Sequence, residues 1–111
     1  MITMTRGDTL PLKFTRLDPS SHTIMDAPNA MFFTVKRSWD DKTPVIQKSL
    51  ADMTEDDGGT WHFVIDANDT ENLSYGTYVF DIEVTVSGCV TTICKDELKI
   101  TREATWSSNR S

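Results

Sequence analysis

Four residues have side chains suited to nucleophilic or general-base chemistry: His22, His62, Cys89 and Cys94. A cysteine or serine becomes a useful nucleophile when an imidazole stands beside it and a third group orients that imidazole. The spacing offers little support for such a set. The histidines are 40 residues apart. His22 falls in a Ser-rich turn, and His62 has outward parity between Trp61 and Phe63. No GxSxG elbow is present. The usual constellation of nucleophile, base and orienting carboxylate is not visible, and the chain reads as a non-enzyme. On one extended strand, Cys89 and Cys94 would lie roughly 16 Å apart. A disulfide needs Cα atoms within about 7 Å. Their odd spacing also points them to opposite faces. They read as free thiols, one of them packed inside as a small apolar residue, which suits folding in a reducing cytosol.

Metal chemistry has two candidate stretches. "DMTEDDGG" clusters Asp52, Glu55, Asp56 and Asp57, and hard cations favour carboxylate oxygens. "DANDTEN" opens like a calcium-binding loop with Asp66, Asn68 and Thr70. It then departs from that pattern, with Glu71 where a glycine is needed and Thr77 where the closing glutamate belongs. The two stretches read instead as a solvated hairpin loop and a helix cap. No metal and no cofactor is expected.

Aromatic side chains are the other candidates for binding. Trp61 shares core parity with Phe63 and Ile65. Trp39 lies in a loop beside Asp40 and Asp41, where a ring could meet a sugar or a protein. Trp106 belongs to the polar tail. Phe32 points outward, because Met31 and Phe33 share the inward face, and an outward Phe on a strand suggests a covering partner. Phe32, Trp39 and Trp106 are therefore the interface candidates.

The elements that must position these residues are strands. Apolar residues recur with a period of two, most plainly in "TYVFDIEVTV", where Tyr78, Phe80, Ile82, Val84 and Val86 face one way. "SG" at 87–88 is a turn, and "CVTTICKDELKI" is its hairpin partner. The apolar phase shifts between Ile93 and Leu98, which calls for a bulge or loop near Lys95 and Asp96. "TLPLKFTRL", "AMFFTVKRS" and "TWHFVID" alternate likewise, with turn-rich pieces between them. Residues 45–50 read as a strand, although Ile46, Leu50 and Met53 also have helical spacing. Residues 66–73 read as a helical turn capped by Asp66 or Asn68, with Asn68 and Glu71 resembling a capping box. The pattern predicts one all-β domain over 1–105, an immunoglobulin-like sandwich of about seven antiparallel strands, followed by a polar tail at 106–111.

With 111 residues the chain is long enough for one real core. Acidic residues outnumber basic ones 17 to 11, for a net charge of −6. Nucleic-acid backbone needs clustered Lys and Arg, so nucleic acid is not an expected partner, and an anionic membrane surface is disfavoured for the same reason. No apolar run nears the roughly 18 residues of a membrane span, and the N-terminal residues do not read as a signal peptide. Arg6-Gly7-Asp8 is the tripeptide integrins recognise. Between two strand-like stretches it reads instead as a kink where the first strand changes sheet, with Gly7 supplying the unusual backbone angle.

Tyr75, Gly76 and Tyr78 in "NLSYGTYVF" form the most specific stretch. Immunoglobulin-like sandwiches often carry a tyrosine here whose hydroxyl bonds backbone upstream, and Gly76 can take a positive φ. Together "RGDTLPLKF", "FFTVKRSWDDKTPVIQKSL", "LSYGTYVFDIEVTVSG" and "KDELKIT" resemble small proteins of phage and prophage tail modules. They are most similar to the immunoglobulin-like N-terminal domain of tailed-phage baseplate proteins. The resemblance spans roughly residues 2 to 105. It implies a non-enzymatic structural subunit that contacts other tail or baseplate subunits, as a possible homo-oligomer. It also implies assembly in the host cytoplasm and residence in the virion. The rival reading is a carbohydrate-binding or adhesive sandwich module. A small enzyme comes third.

Overall fold

The computed structural model describes residues 1–102. Trp106 and the boundary expected at 105 lie outside the described residues. Among the described residues eight strands form two sheets. They are β1 (Ile2–Thr5), β2 (Leu10–Thr15), β3 (Ala30–Lys36), β4 (Ile46–Ser49), β5 (Thr54–Glu55), β6 (Thr60–Ile65), β7 (Gly76–Val86) and β8 (Cys89–Thr101). The larger sheet runs β1-β8-β7-β3-β4 and the smaller β2-β6-β5. The chain is a two-sheet, sandwich-like β protein, as its period-two pattern predicts. Two details differ from the expectation of about seven antiparallel strands. The two-residue β5 adds an eighth strand, and β1 pairs with β8 in parallel, Ile2 opposite Leu98 and Thr5 opposite Thr101.

Inward-facing residues of the two sheets meet in one core. Phe33 on β3 lies 4.8 Å from Phe63 on β6 and 5.2 Å from Phe80 on β7, measured between ring centroids. All three are buried. Tilted pairs at this range add about 1 kcal/mol each beyond their burial. Trp61 is also buried, in keeping with its parity beside Phe63 and Ile65.

The junction between the sheets falls at Thr5–Asp8. The Asp8 N–H donates to the Thr5 carbonyl at 3.1 Å, closing a tight turn between β1 in one sheet and β2 in the other. Gly7 holds φ at 83°. Its N–H donates to Oγ1 of Thr70 at 2.9 Å, and Thr70 is fully buried. Arg6 lies over the Tyr75 ring, 4.4 Å from its centroid. The tripeptide is thus tied to the body of the sandwich on three sides.

Tyr78 is buried, and its hydroxyl donates to the Ser74 carbonyl at 2.8 Å. Tyr75 makes no such bond among the described residues; it stays partly exposed, with Arg6 and Arg102 against its ring. Gly76 holds φ at 144°, and a Cβ there would meet nothing within 4 Å, so the backbone angle and not crowding favours glycine. At the far end of β7, Ser87 and Gly88 have φ of 51° and 83°, the pair of left-handed residues that suits a two-residue hairpin.

Two local expectations are corrected, and a third holds with narrower bounds. The bulge lies at Ile93, where the β7 partners step from Cys94 opposite Ile82 to Thr92 opposite Glu83, and not at Lys95 and Asp96. The helical turn Ala67–Thr70 is capped by Asp66, whose N–H donates to the Asp69 carboxylate at 2.7 Å, so Asp66 and Asp69 replace the Asn68 and Glu71 pair. The strand expected over 45–50 spans Ile46–Ser49 and passes into a 3-10 turn, Leu50–Asp52, which reconciles the strand and helical spacings read there.

Gly7→Val places a β-branched residue in the left-handed region and should lower unfolding free energy by about 1–3 kcal/mol in urea titration. Tyr78→Phe should cost about 1 kcal/mol, the net value of its hydrogen bond. An unchanged urea midpoint for either variant would remove that contact from the account of the fold.

Candidate functional site

The smaller sheet does not cover the whole of the larger one. β7 has 11 residues and β8 has 13, whereas β2 and β6 have 6 each. The distal part of the β7–β8 hairpin therefore extends past the edge strand β2. Between them lies a groove of about 620 Å³ that reaches the interior aromatics. Phe33, Phe63 and Phe80 form its floor, Leu12 and Phe14 stand on the β2 side, and Cys94 stands on the β8 side. Ligand-binding clefts commonly fall in this size range.

Arg16 stands at the rim and was missed as a site residue. It is 5% exposed, and its Nη2 donates to the Asp26 carbonyl at 2.6 Å and also meets the Asp26 carboxylate. Its Nε has no partner among the described residues. The signal was present in the alternation itself: Leu10, Leu12 and Phe14 point inward, and Arg16 continues their parity. Asp26 is held near it by the short loop in which Leu17 bridges Thr23.

The bulge at Ile93 changes where the cysteines point. Cys89 pairs with Val86 and Cys94 with Ile82, both on the inward face of β7. One extra residue brings the thiols onto the same face, where both line the groove. Neither is packed inside; both are exposed. Burial, with the nearby charges of Asp96 and Asp81, pushes the Cys94 thiol up from its ordinary range.

Phe32 is 38% exposed on the outer face of the larger sheet, and Trp39 is 51% exposed with Nζ of Lys95 5.6 Å from its ring centroid. The structure does not bring these two together with the groove. The histidines are also apart from it and from each other's loops. His22 lies 3.7 Å from the Asp18 carboxylate in its own turn. Nε2 of His62 lies 2.9 Å from Oδ2 of Asp56. Asp56 also accepts the N–H groups of Gly58 at 2.9 Å and Thr60 at 3.0 Å. The acidic loop thus spends this carboxylate on its own backbone. Among the described residues no three His, Cys, Asp or Glu side chains gather as a metal site. No helix among them is long and apolar enough to cross a membrane.

No family model matches the chain, and no curated protein sequence matches it. Its fold has a relative among solved structures. The chain is similar to the X-ray structure of the endo-beta-1,4-mannanase from Thermotoga petrophila, with a TM-score of 0.62 over 92% of this chain and 12% identity. The likeness is one of fold. The chain spans 18% of that enzyme's length, so the match concerns a small part of it.

The Asp56 bonds have a pH signature. The His62 side chain, then the Thr60 and Gly58 N–H groups, hold its carboxyl below the ordinary range. A depressed folded-state value contributes stability that is present above the unfolded value of about 3.9 and lost as pH falls through the folded one. Asp56→Asn should therefore lower the melting temperature at pH 7, with the deficit shrinking as pH falls below the unfolded value of about 3.9. Calorimetry showing the same deficit at pH 7 and below that value would remove this role from Asp56.

Proposed function

We propose that the chain is a non-enzymatic assembly subunit of a phage or prophage tail or baseplate. In this reading an immunoglobulin-like domain docks other tail subunits or copies of itself, is assembled in the host cytoplasm and resides in the virion. The observation that carries the reading is the open groove. A sandwich that leaves Leu17 and Ile93 exposed, and Leu12, Phe14, Ile24 and Val86 half-buried, along one groove keeps an apolar surface that a protein contact would cover. The immunoglobulin-like assignment is supported by the strand order, with β1 parallel to β8 at one edge and β2-β6-β5 opposite. It is further supported by the bond from the Tyr78 hydroxyl to the Ser74 carbonyl. Docking of this kind calls for no cofactor, nucleic acid or membrane.

A second reading, a carbohydrate-binding module, is favoured by Trp39. Its half-exposed ring could stack on a sugar. The mannanase likeness, at 12% identity, bears on fold and adds nothing to this reading.

Mass spectrometry of purified particles, induced from a strain carrying the gene, should find the chain in the tail fraction at a fixed ratio to other tail subunits. A chain missing from particles would sink the assembly reading. So would a glycan-array signal abolished by Trp39→Ala, which would establish the sugar-binding alternative.

A further inference from the structure

Among the described residues the outer edge of β8 has no strand beside it along most of its length, the Met1 ammonium reaching Oδ2 of Asp96 at 3.1 Å. β7 occupies one side from Cys89 to Ile100, and on the other side β1 reaches only Leu98–Thr101. From Cys89 to Glu97 no second strand lies beside it among the described residues. Such an edge offers a row of backbone donors and acceptors to an extended chain, and monomeric proteins blunt it with Lys, Pro, inward charges or a bulge, of which this stretch carries the bulge at Ile93. Cys89–Cys94 carries no charge and no proline, and all six residues are exposed. Val90, Thr91, Thr92 and Ile93 are β-branched, the residue type that pairs best across strands. Read in either direction the segment is nearly the same: Cys, β-branched aliphatic, Thr, Thr, β-branched aliphatic, Cys.

We infer that this edge takes a second copy of the same chain, the two β8 strands pairing antiparallel about a two-fold axis at Thr91. The bulge makes that register possible. Residues directly opposite in an antiparallel pair must point to the same face. In an unbroken strand Cys89 and Cys94 would point to different faces and could not lie opposite each other. Here Thr92 and Ile93 together occupy one slot, opposite Glu83 of β7, so Cys89–Cys94 fills five slots with Thr91 in the middle. Thr91 then meets Thr91 of the second copy, and Val90 meets its Thr92 and Ile93. Cys89 meets its Cys94 on the groove face. Such cross-strand Thr and aliphatic pairs stabilise antiparallel sheets.

The charges permit the contact. Each chain carries −6, yet the register sets Lys95 opposite Gly88 and Asp96 opposite Ser87, so no like charges face each other. The hairpin turn of the second copy ends beside Asp96, where the Met1 ammonium lies 3.1 Å from Oδ2, just before β1 takes over the edge at Leu98. A two-fold axis perpendicular to the sheet leaves both smaller sheets on one face. The two grooves then open toward each other, and their apolar walls are covered together. Such an isologous contact closes on itself without forming a filament. The inference deepens the assembly reading by naming one surface and its occupant. Its test reads the β8 edge alone, so its failure leaves docking on other tail subunits standing.

The thiols provide the test. Paired Cα atoms in an antiparallel ladder are about 4.5–5.5 Å apart, within disulfide range. Oxidation of the full chain by copper-phenanthroline at about pH 9, where thiols ionise, should give a covalent dimer. Cys89→Ser alone and Cys94→Ser alone should each lose that product. An equal mixture of the two should regain it at roughly half the wild-type yield, since half of random pairs bring Cys94 of one copy to Cys89 of the other. Thr91→Lys should raise the dimer dissociation constant at least about tenfold in sedimentation equilibrium, through like charges on the axis. Mixing it with Thr91→Glu should restore association. A chain that stays monomeric at about 100 µM, or single-cysteine variants that cross-link as well as their mixture, would overturn the inference.

Discussion

The contact of Phe33 with Phe63 is the joint on which the rest of the structure depends. It is the aromatic pair that spans the two sheets, with Phe80 supporting Phe33 from its own sheet and Phe14 meeting the edge of Phe63 from the other. Burying a side chain of this size is worth about 1.5–3 kcal/mol, so the cluster sets the distance and stagger at which the sheets pack. On one side of it the core closes under Leu73, Tyr78, Leu98 and Ile100, all buried. On the other side the shorter strands of the smaller sheet end, and the same rings become the floor of the groove. Closure at one end and opening at the other follow from strand lengths that do not match.

The carboxylates of this acidic chain have mostly local work. Asp18 accepts the N–H groups of Ser20 and His22, Asp52 that of Ser49, Asp56 those of Gly58 and Thr60, and Asp69 that of Asp66. Asp66 and Asp69 also hold Nζ of Lys48, at 3.6 and 2.7 Å, fastening β4 to the helical turn. Burial pulls the Lys48 ammonium down, but Asp69 and then Asp66 and Asp52 outweigh it, so its pKa is raised. Acidic stretches that suggest cation loops in the sequence therefore build turns, the role short side chains with two acceptors fill readily.

What was legible in the sequence is what depends on local pattern. The inward sets on β3, β6 and β7 followed from alternation, and the turn at Ser87 and Gly88 from its residue types. Outward parity put Phe32 in solvent, and loop position did the same for Trp39. What was not legible depends on who pairs with whom. Residues near Ile93 give a phase shift within a window of five, and nothing in that window says which residue the partner strand will skip. The facing of Cys89 and Cys94 rests on that choice, so a correct reading of the alternation still placed the thiols wrongly. The parallel pairing of β1 joins positions at opposite ends of the described chain and leaves no mark on the residues between. The groove is a mismatch between elements and has no motif of its own. Arg16 is the exception: a charge at inward parity was written in the alternation.

The pairing of β1 with β8 also has a temporal side. Met4 faces Ile100, 96 residues further along the chain. At roughly 5–20 residues per second, a ribosome takes on the order of ten seconds to cover that interval. Throughout it the residues of β1 have no ladder to join. Contacts of such long sequence separation slow folding, because loop closure must precede their reward. The smaller sheet and the β3–β4 pair can form while synthesis proceeds, but the larger sheet can be sealed only once β8 has emerged. A nascent chain stalled before Leu98 would carry β1 as a loose arm beside a half-built edge. The arrival of β8, and not any shorter length of chain, is the event that closes this sandwich.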